Sequence, residues 1–167
     1  MITLQLRSLD QANDFQAVRN IIMDCVDYAM IVNGEPPAQK DVTDFFTDTA
    51  PGKSQDDMLK LGIEENGDCI GIAEIAQNFP LNHTWHIGLL LLHSSWRRRG
   101  IGRYVIQKIE ERARLASGTQ LRIGVVQENT EALLFWEKLG FKEVNRIPER
   151  SFGIKKHTII ELARAIQ

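Results

Sequence analysis

The chain has 167 residues, 43% of them apolar and 25% charged, with a formal net charge of −2. That length suits one domain, residues 1–167, with a buried core, and the charge balance argues against a wholly basic nucleic-acid binder. No apolar run is long enough to span a bilayer, the opening MITLQLRSLD lacks the apolar core of a signal peptide, and Cys25 and Cys69 have neither metal-ligand spacing nor disulfide density, so they read as reduced thiols of a cytoplasmic protein.

ITLQLRSL alternates and predicts a first strand. Phe15, Val18, Ile22, Cys25 and Ala29 then recur at helical spacing, which predicts one helix ended by Gly34 and the pair Pro36-Pro37. Asp41 is placed to cap a short helix through DVTDFF. Leu59, Leu61 and Ile63 alternate, Asn66-Gly67 offers a hairpin turn, and Ile70 and Ile72 continue on the return strand with Glu74 on the same face. HIGLLLL reads as a central strand covered on both sides. Ile101, Val105, Ile109 and Ala113 mark a helix closed by Ser117-Gly118. QLRIGVVQ is another buried strand, and Ala132, Phe135, Trp136 and Leu139 form the face of a last helix ended by Gly140. Two strands, near FKEVNRI and KHTIIELAR, finish the chain. The pattern implies an α/β or α+β sheet with helices on both faces.

The stretch LLLLHSSWRRRGIGRYVIQKIEERA has a chemical signature. A strand, a glycine turn and a helix start form a phosphate cradle, because the first N–H groups of a helix have no backbone acceptor. The helix dipole adds only ~0.3–1 kcal/mol if exposed. Most of the attraction must come from directed N–H groups and from Arg97, Arg98, Arg99 or Arg103, whose forked guanidinium matches phosphate oxygens. A P-loop is excluded, since no Gly-Lys-Ser/Thr is present. The dinucleotide fingerprint fails too, because its third glycine position holds Val105. The plain alternative is a basic surface turn before an ordinary amphipathic helix.

At these residues the chain resembles the GNAT superfamily of acyl-CoA-dependent N-acyltransferases. Arg97-Arg98-Arg99-Gly100-Ile101-Gly102 matches its Gln/Arg-x-x-Gly-x-Gly/Ala signature, and NTEALLFWEKLGF matches a second block ending in Glu-Lys-Leu-Gly-Phe. The resemblance is clear from about Trp85 to Phe141. It implies a single-domain, mixed but mostly antiparallel sheet of six to seven strands, helices on both faces and a splayed central strand pair. It also implies acetyl-CoA as co-substrate and no metal. The pyrophosphate would sit on N–H groups from Arg98 to Arg103. The pantetheine arm would run beside Leu90, Leu91 and Leu92, whose N–H groups would polarise the thioester carbonyl. Asn129 matches the family asparagine that contacts the cofactor arm, although an N-cap role suits it equally. Trp136 stands where many members carry a tyrosine that protonates the departing thiolate. Indole is not a useful acid, and core packing is the simpler role for Trp136.

The implied reaction is transfer of an acetyl group to a primary amine by direct attack in a ternary complex. An alkyl amine with a pKa near ~10.4 must lose a proton first, which costs roughly 4–5 kcal/mol at pH 7. A nearby base helps. Counting back from Gly100 to the family's glutamate position reaches His86, whose imidazole suits a base at neutral pH. Glu74 is the second candidate, provided that burial raises its pKa. His83 and His93 rank below both. For the acceptor, Asp24, Asp27, Tyr28 and Glu35 cluster near the first helix end, where carboxylates would attract a cation; of these Asp27, Tyr28 and Glu35 are the chosen candidates. The last hairpin is basic, with Arg146, Arg150, Lys155 and Lys156. A small-molecule amine is the favoured acceptor. The alternatives are a protein N-terminus or lysine, a non-catalytic coenzyme A sensor and, lowest, a nucleic-acid-binding domain. No nucleic acid and no membrane are expected as partners, and a homodimer stays open.

Overall fold

The computed structural model describes residues 3–167, so Ile2, expected in the first strand, lies outside the described residues. Strand β1 spans Leu4–Ser8, β2 Met58–Glu65 and β3 Asp68–Gln77. Asn66 and Gly67 join β2 to β3 with φ of 52° and 85°, the left-handed pair that a two-residue hairpin needs. The remaining strands are β4 (Thr84–Leu92), β5 (Gln120–Val126), β6 (Lys142–Phe152) and β7 (Lys155–Ala165). They form one seven-stranded sheet in the order β1-β2-β3-β4-β5-β7-β6, antiparallel throughout except for the parallel pair β4–β5.

Helices cover both faces. Helix α1 (Gln11–Asp24), α2 (Val26–Val32) and α3 (Gln39–Thr47) lie on one side, and α4 (Ile101–Leu115) and α5 (Thr130–Lys138) on the other. The helical repeat of Ile101, Val105, Ile109 and Ala113 is buried against Leu61, Ile63 and Ile75. On the opposite face Val18, Ile21, Ile22, Val42 and Phe45 pack over Ile72 and Leu91.

Three local expectations are corrected. The helix expected from Phe15 through Ala29 breaks at Cys25, whose ψ is 51°. No glycine or proline marks the break. Cys25 is instead pulled into tertiary contacts, its Sγ 3.5 Å from Leu92 O and 3.3 Å from an Arg97 nitrogen. Asp41 is not the cap of α3 but sits in its first turn, where its carboxylate accepts the Ala38 N–H at 2.7 Å. Ile70 falls in a register shift, between Ile63 opposite Gly71 and Glu64 opposite Cys69. That bulge turns Ile70 into the α4 side of the core, so Glu74 shares its face with Ile72 alone.

A second bulge positions the site. In the β3–β4 ladder, Ile75 faces Ile87 and Glu74 faces Leu89, so Gly88 is the extra residue. Bulges bend the strand that carries them. Strands β4 and β5 pair only from Thr84–Gln120 to Ile87–Ile123, and then separate. Beyond that point β4 stays with β3 and β5 stays with β7. The gap opens at the bulge.

Candidate functional site

The turn before α4 leaves a row of main-chain donors unused. The Arg97 N–H reaches Ser94 O at 3.4 Å, and the Tyr104 N–H reaches Gly100 O at 3.2 Å. Between them, the N–H groups of Arg98, Arg99, Gly100, Ile101, Gly102 and Arg103 have no protein acceptor among the described residues. Left-handed backbone at Arg98 (φ 61°) and Gly100 (φ 77°) curls the chain so that these donors precede the helix. Such a concave run of N–H groups at a helix start binds anions. Gly102 is fixed by packing, since a β-carbon there would lie 3.0 Å from the Phe135 ring.

The arginines divide their work. Arg97 turns inward, holding Asp27 at 2.6 Å and Leu92 O at 3.1 Å. Its cation keeps the Asp27 carboxyl below the usual carboxylate range. Arg99 lies over the Trp96 ring at 5.0 Å and does not line the cleft. Arg98, 3.5 Å from Glu131 at the surface, and Arg103 remain on the cleft wall.

The cradle opens into a cleft of about 410 Å³ lined by Leu90, Leu91, Leu92, Asn129, Ala132 and Trp136 among others. His93 N–H bonds to Ile70 O on β3. Alternation along β4 therefore turns the main-chain groups of Leu90 and Leu92 to the other edge, which β5 has left. Leu92 O is taken by Arg97 and Cys25. Leu90 remains open as a strand edge for an extended ligand. Asn129 caps α5, its Oδ1 accepting the Ala132 N–H at 3.3 Å, and it also lines the cleft. Trp136 is buried edge-on between Phe135 (4.9 Å) and Phe141 (5.1 Å), which is a packing role.

Across the gap lies a second cavity of about 400 Å³. It shares Tyr28, Leu90, Asn129, Ala132 and Trp136 with the first, so the two meet at the β4–β5 opening. His86 lines it, edge-on to Phe79 at 5.5 Å. Burial pushes its imidazole below the usual value; Arg122 adds to this and Glu161 opposes it. His86 is therefore neutral at pH 7 and able to accept a proton. Glu74 lines an adjoining cavity of about 270 Å³ with Tyr28 and Gly88. Burial raises its carboxyl, against a hydrogen bond from Lys60 at 2.8 Å. Glu74 Oε1 lies over Gly88, 3.1 Å from where a β-carbon would sit.

The expected acceptor residues are dispersed. Tyr28 lines all three cavities. Asp27 sits at the first cleft, paired with Arg97, and Glu35 is exposed and lines none of the three. Glu161 was not singled out from the sequence, yet it lines the His86 cavity. Burial works against its charge, but hydrogen bonds from Arg122 and Asn145 outweigh that and hold its carboxyl below the usual range. The available signal was one acid in the otherwise apolar run from Ile159 to Ala163. Arg150, named only as part of a basic hairpin, stands at the same cavity without an ion-pair partner among the described residues.

A family model described as the acetyltransferase (GNAT) family matches residues 16–141. Among solved structures, an acetyltransferase from Thermus thermophilus is 19% identical, with a TM-score of 0.75 over 98% of this chain and 97% of that one. The ribosomal-protein-S18-alanine N-acetyltransferase of Escherichia coli is 16% identical, with a TM-score of 0.70 over 99% and 95%. An N-acetyltransferase from Staphylococcus aureus Mu50 is 17% identical, with a TM-score of 0.72 over 99% of each chain. At such identities these structures share the fold. No curated protein matches the sequence significantly.

Proposed function

The chain belongs to the GNAT acetyltransferase family, and on that premise we propose that it transfers an acetyl group from acetyl-CoA to the primary amine of a small molecule, by direct attack in a ternary complex. The observation that carries this reading is the unpaired row of N–H groups from Arg98 to Arg103, at the mouth of a cleft that leads through the β4–β5 gap to His86. The residues fit the coenzyme: a concave set of donors for the diphosphate, two cations beside it, and a free strand edge at Leu90 for the amide-bearing arm. When bound, acetyl-CoA supplies the acetyl group as a thioester.

The chain's own residues then have distinct tasks. The Leu90 N–H orients the carbonyl by a hydrogen bond. His86, neutral at pH 7, takes the proton of the amine, directly or through a water, and so offsets the roughly 4–5 kcal/mol that deprotonation costs. Glu74 is the second candidate for this task, but it is committed to the buried Lys60.

A small acceptor is favoured over a polypeptide because the β6–β7 hairpin is fastened to the end of α2. Ile154 N–H donates to Asn33 O at 3.0 Å, Lys155 Nζ to Ile31 O at 3.3 Å and buried His157 Nε2 to Val32 O at 2.8 Å. These bonds hold the hairpin against α2 at Val32, a residue that lines the His86 cavity. The cavity volume falls in the range of small-molecule sites. The reading includes a cytoplasmic setting, supported by two free cysteines. No helix among the described residues is long and apolar enough to cross a membrane.

The test pairs calorimetry with a thiol-release assay. Acetyl-CoA is expected to bind, small amines to accelerate release of coenzyme A, and peptides to leave it unchanged. Tight binding with no amine-dependent release would instead support a sensor. Acetylation of peptide N-termini or lysines, with small amines inert, would transfer the assignment to a protein substrate.

A further inference from the structure

Tyr28 is the residue common to the coenzyme cleft, the acceptor cavity and the smaller cavity beside Glu74. It belongs to α2, the short helix set off by the break at Cys25. Its ring is wedged between two apolar clusters, one formed by α1 and α3, the other by Val32, Val126 and Ile159. The preceding residue, Asp27, is clamped by Arg97, which also holds Leu92 O on β4. Helix α2 is thereby tied to the strand edge and to the cradle. Among the described residues no protein group bonds the Tyr28 hydroxyl, and that oxygen is not a sealed buried orphan. Tyr28 itself is half-buried and lines the cavities on both sides of the β4–β5 opening.

We propose that Tyr28 is the hydrogen-bond donor to the departing sulfur, and that it acts without giving up its proton. This rests on the acetyltransferase reading above. In the transfer a carbon–nitrogen bond forms and the carbon–sulfur bond breaks, with the electron pair leaving on sulfur. The amine's proton passes to the base, and the thiolate takes a proton from solvent after release. Trp136 is packed between two phenylalanines and is no acid, so that position supplies no proton. Tyr28 reaches the same junction from the opposite face of the sheet.

The chemistry favours donation of a hydrogen bond over transfer of the proton. Burial pushes the Tyr28 hydroxyl up to about 12, with Glu74 and Cys25 adding to the shift. A thiol ionises near ~8.5, so moving the proton from this phenol to a thiolate would be unfavourable by more than roughly a thousandfold. The same shift keeps the hydroxyl protonated throughout the neutral range. A donor that stays protonated, fixed by packing and free of competing partners, stabilises charge as it builds on sulfur.

The test is Tyr28→Phe, which keeps the ring and removes the donor. At mildly alkaline pH, wild-type protein is expected to prefer coenzyme A over desulfo-coenzyme A by about 10-fold, the size of one charge-assisted hydrogen bond. The variant is expected to bind the two equally in calorimetry. The ultraviolet thiolate band of bound coenzyme A should titrate at higher pH in the variant. Turnover should fall about 10-fold with an unchanged KM for acetyl-CoA, because the bond strengthens only as charge develops. If the wild type binds both nucleotides equally while acetylating amines, or Tyr28→Phe keeps the preference and the turnover, the role of Tyr28 is overturned. If the wild type binds neither nucleotide, the acetyltransferase reading itself fails and this inference with it.

Discussion

Replacing Gly100 by Asp is expected to weaken coenzyme A binding about 100-fold, ~2.7 kcal/mol, while leaving the chain folded. Gly100 has φ 77°, and a β-carbon there would meet no atom within 4 Å. The substitution therefore adds no clash to the free protein. It does add left-handed strain, modest for Asp and roughly 1 kcal/mol, and a carboxylate in the middle of donors meant for a diphosphate. Gly100→Asn separates the two effects, because it brings nearly the same size and strain without the charge. Calorimetry should show Asn within about 10-fold of wild type and Asp far weaker. Equal affinities for all three proteins would show that the diphosphate does not lie at this turn.

His86→Ala is expected to lower turnover about 100-fold for strongly basic amines, within the usual range for loss of a positioned base. The pH dependence carries the sign. Burial depresses the imidazole, so it is neutral through pH 7 and becomes protonated only as pH falls below its ordinary ~6.5. Wild-type kcat/KM should therefore stay level through neutral pH with respect to this group and fall on the acid side. In His86→Ala that acid limb should disappear. Glu74→Gln is the counterpart. Burial raises the Glu74 carboxyl, so as a base it too would give an acid limb, set above the ordinary carboxylate range. If the limb vanishes in Glu74→Gln and persists in His86→Ala, the base is Glu74. Activities need correction for folded fraction, since in Glu74→Gln the buried Lys60 loses its counter-charge while keeping Asp48 O at 2.7 Å.

Elements set by local periodicity were legible in the sequence, and so was the turn that leaves its N–H groups unpaired. The four-residue repeat of Ile101, Val105, Ile109 and Ala113 needs only its own helix to be read, and the donors from Arg98 to Arg103 follow from where that helix starts. What stayed hidden depends on contacts distant in sequence. The break at Cys25 is made by Leu92 and Arg97, some seventy residues away. The bulge at Ile70 shows only in the register with β2, and it decides which face Glu74 shares. Lys60 pairs across strands with Glu74 and anchors on Asp48, so its burial could not be foreseen from β2 alone. Glu161 gains its place from Arg122 on the neighbouring strand. Glu35 was placed near the acceptor by its neighbours in sequence, but the loop that carries it turns outward.

The connection between cradle and chemistry is the separation of β4 from β5 at Gly88. It joins the turn of unpaired N–H groups, the free edge at Leu90 and the cavity of His86 into one path. Arg97 supports that path indirectly, by holding α2 and β4 together beside the turn, so this arginine of the signature serves the frame.

The most direct measurement is a titration of the ¹⁵N-labelled protein with coenzyme A, following each main-chain amide and its exchange with solvent. The amides of Arg98 through Arg103 should show the largest shifts and become protected as the site fills. Saturation by coenzyme A with those amides unmoved and still freely exchanging would contradict the account.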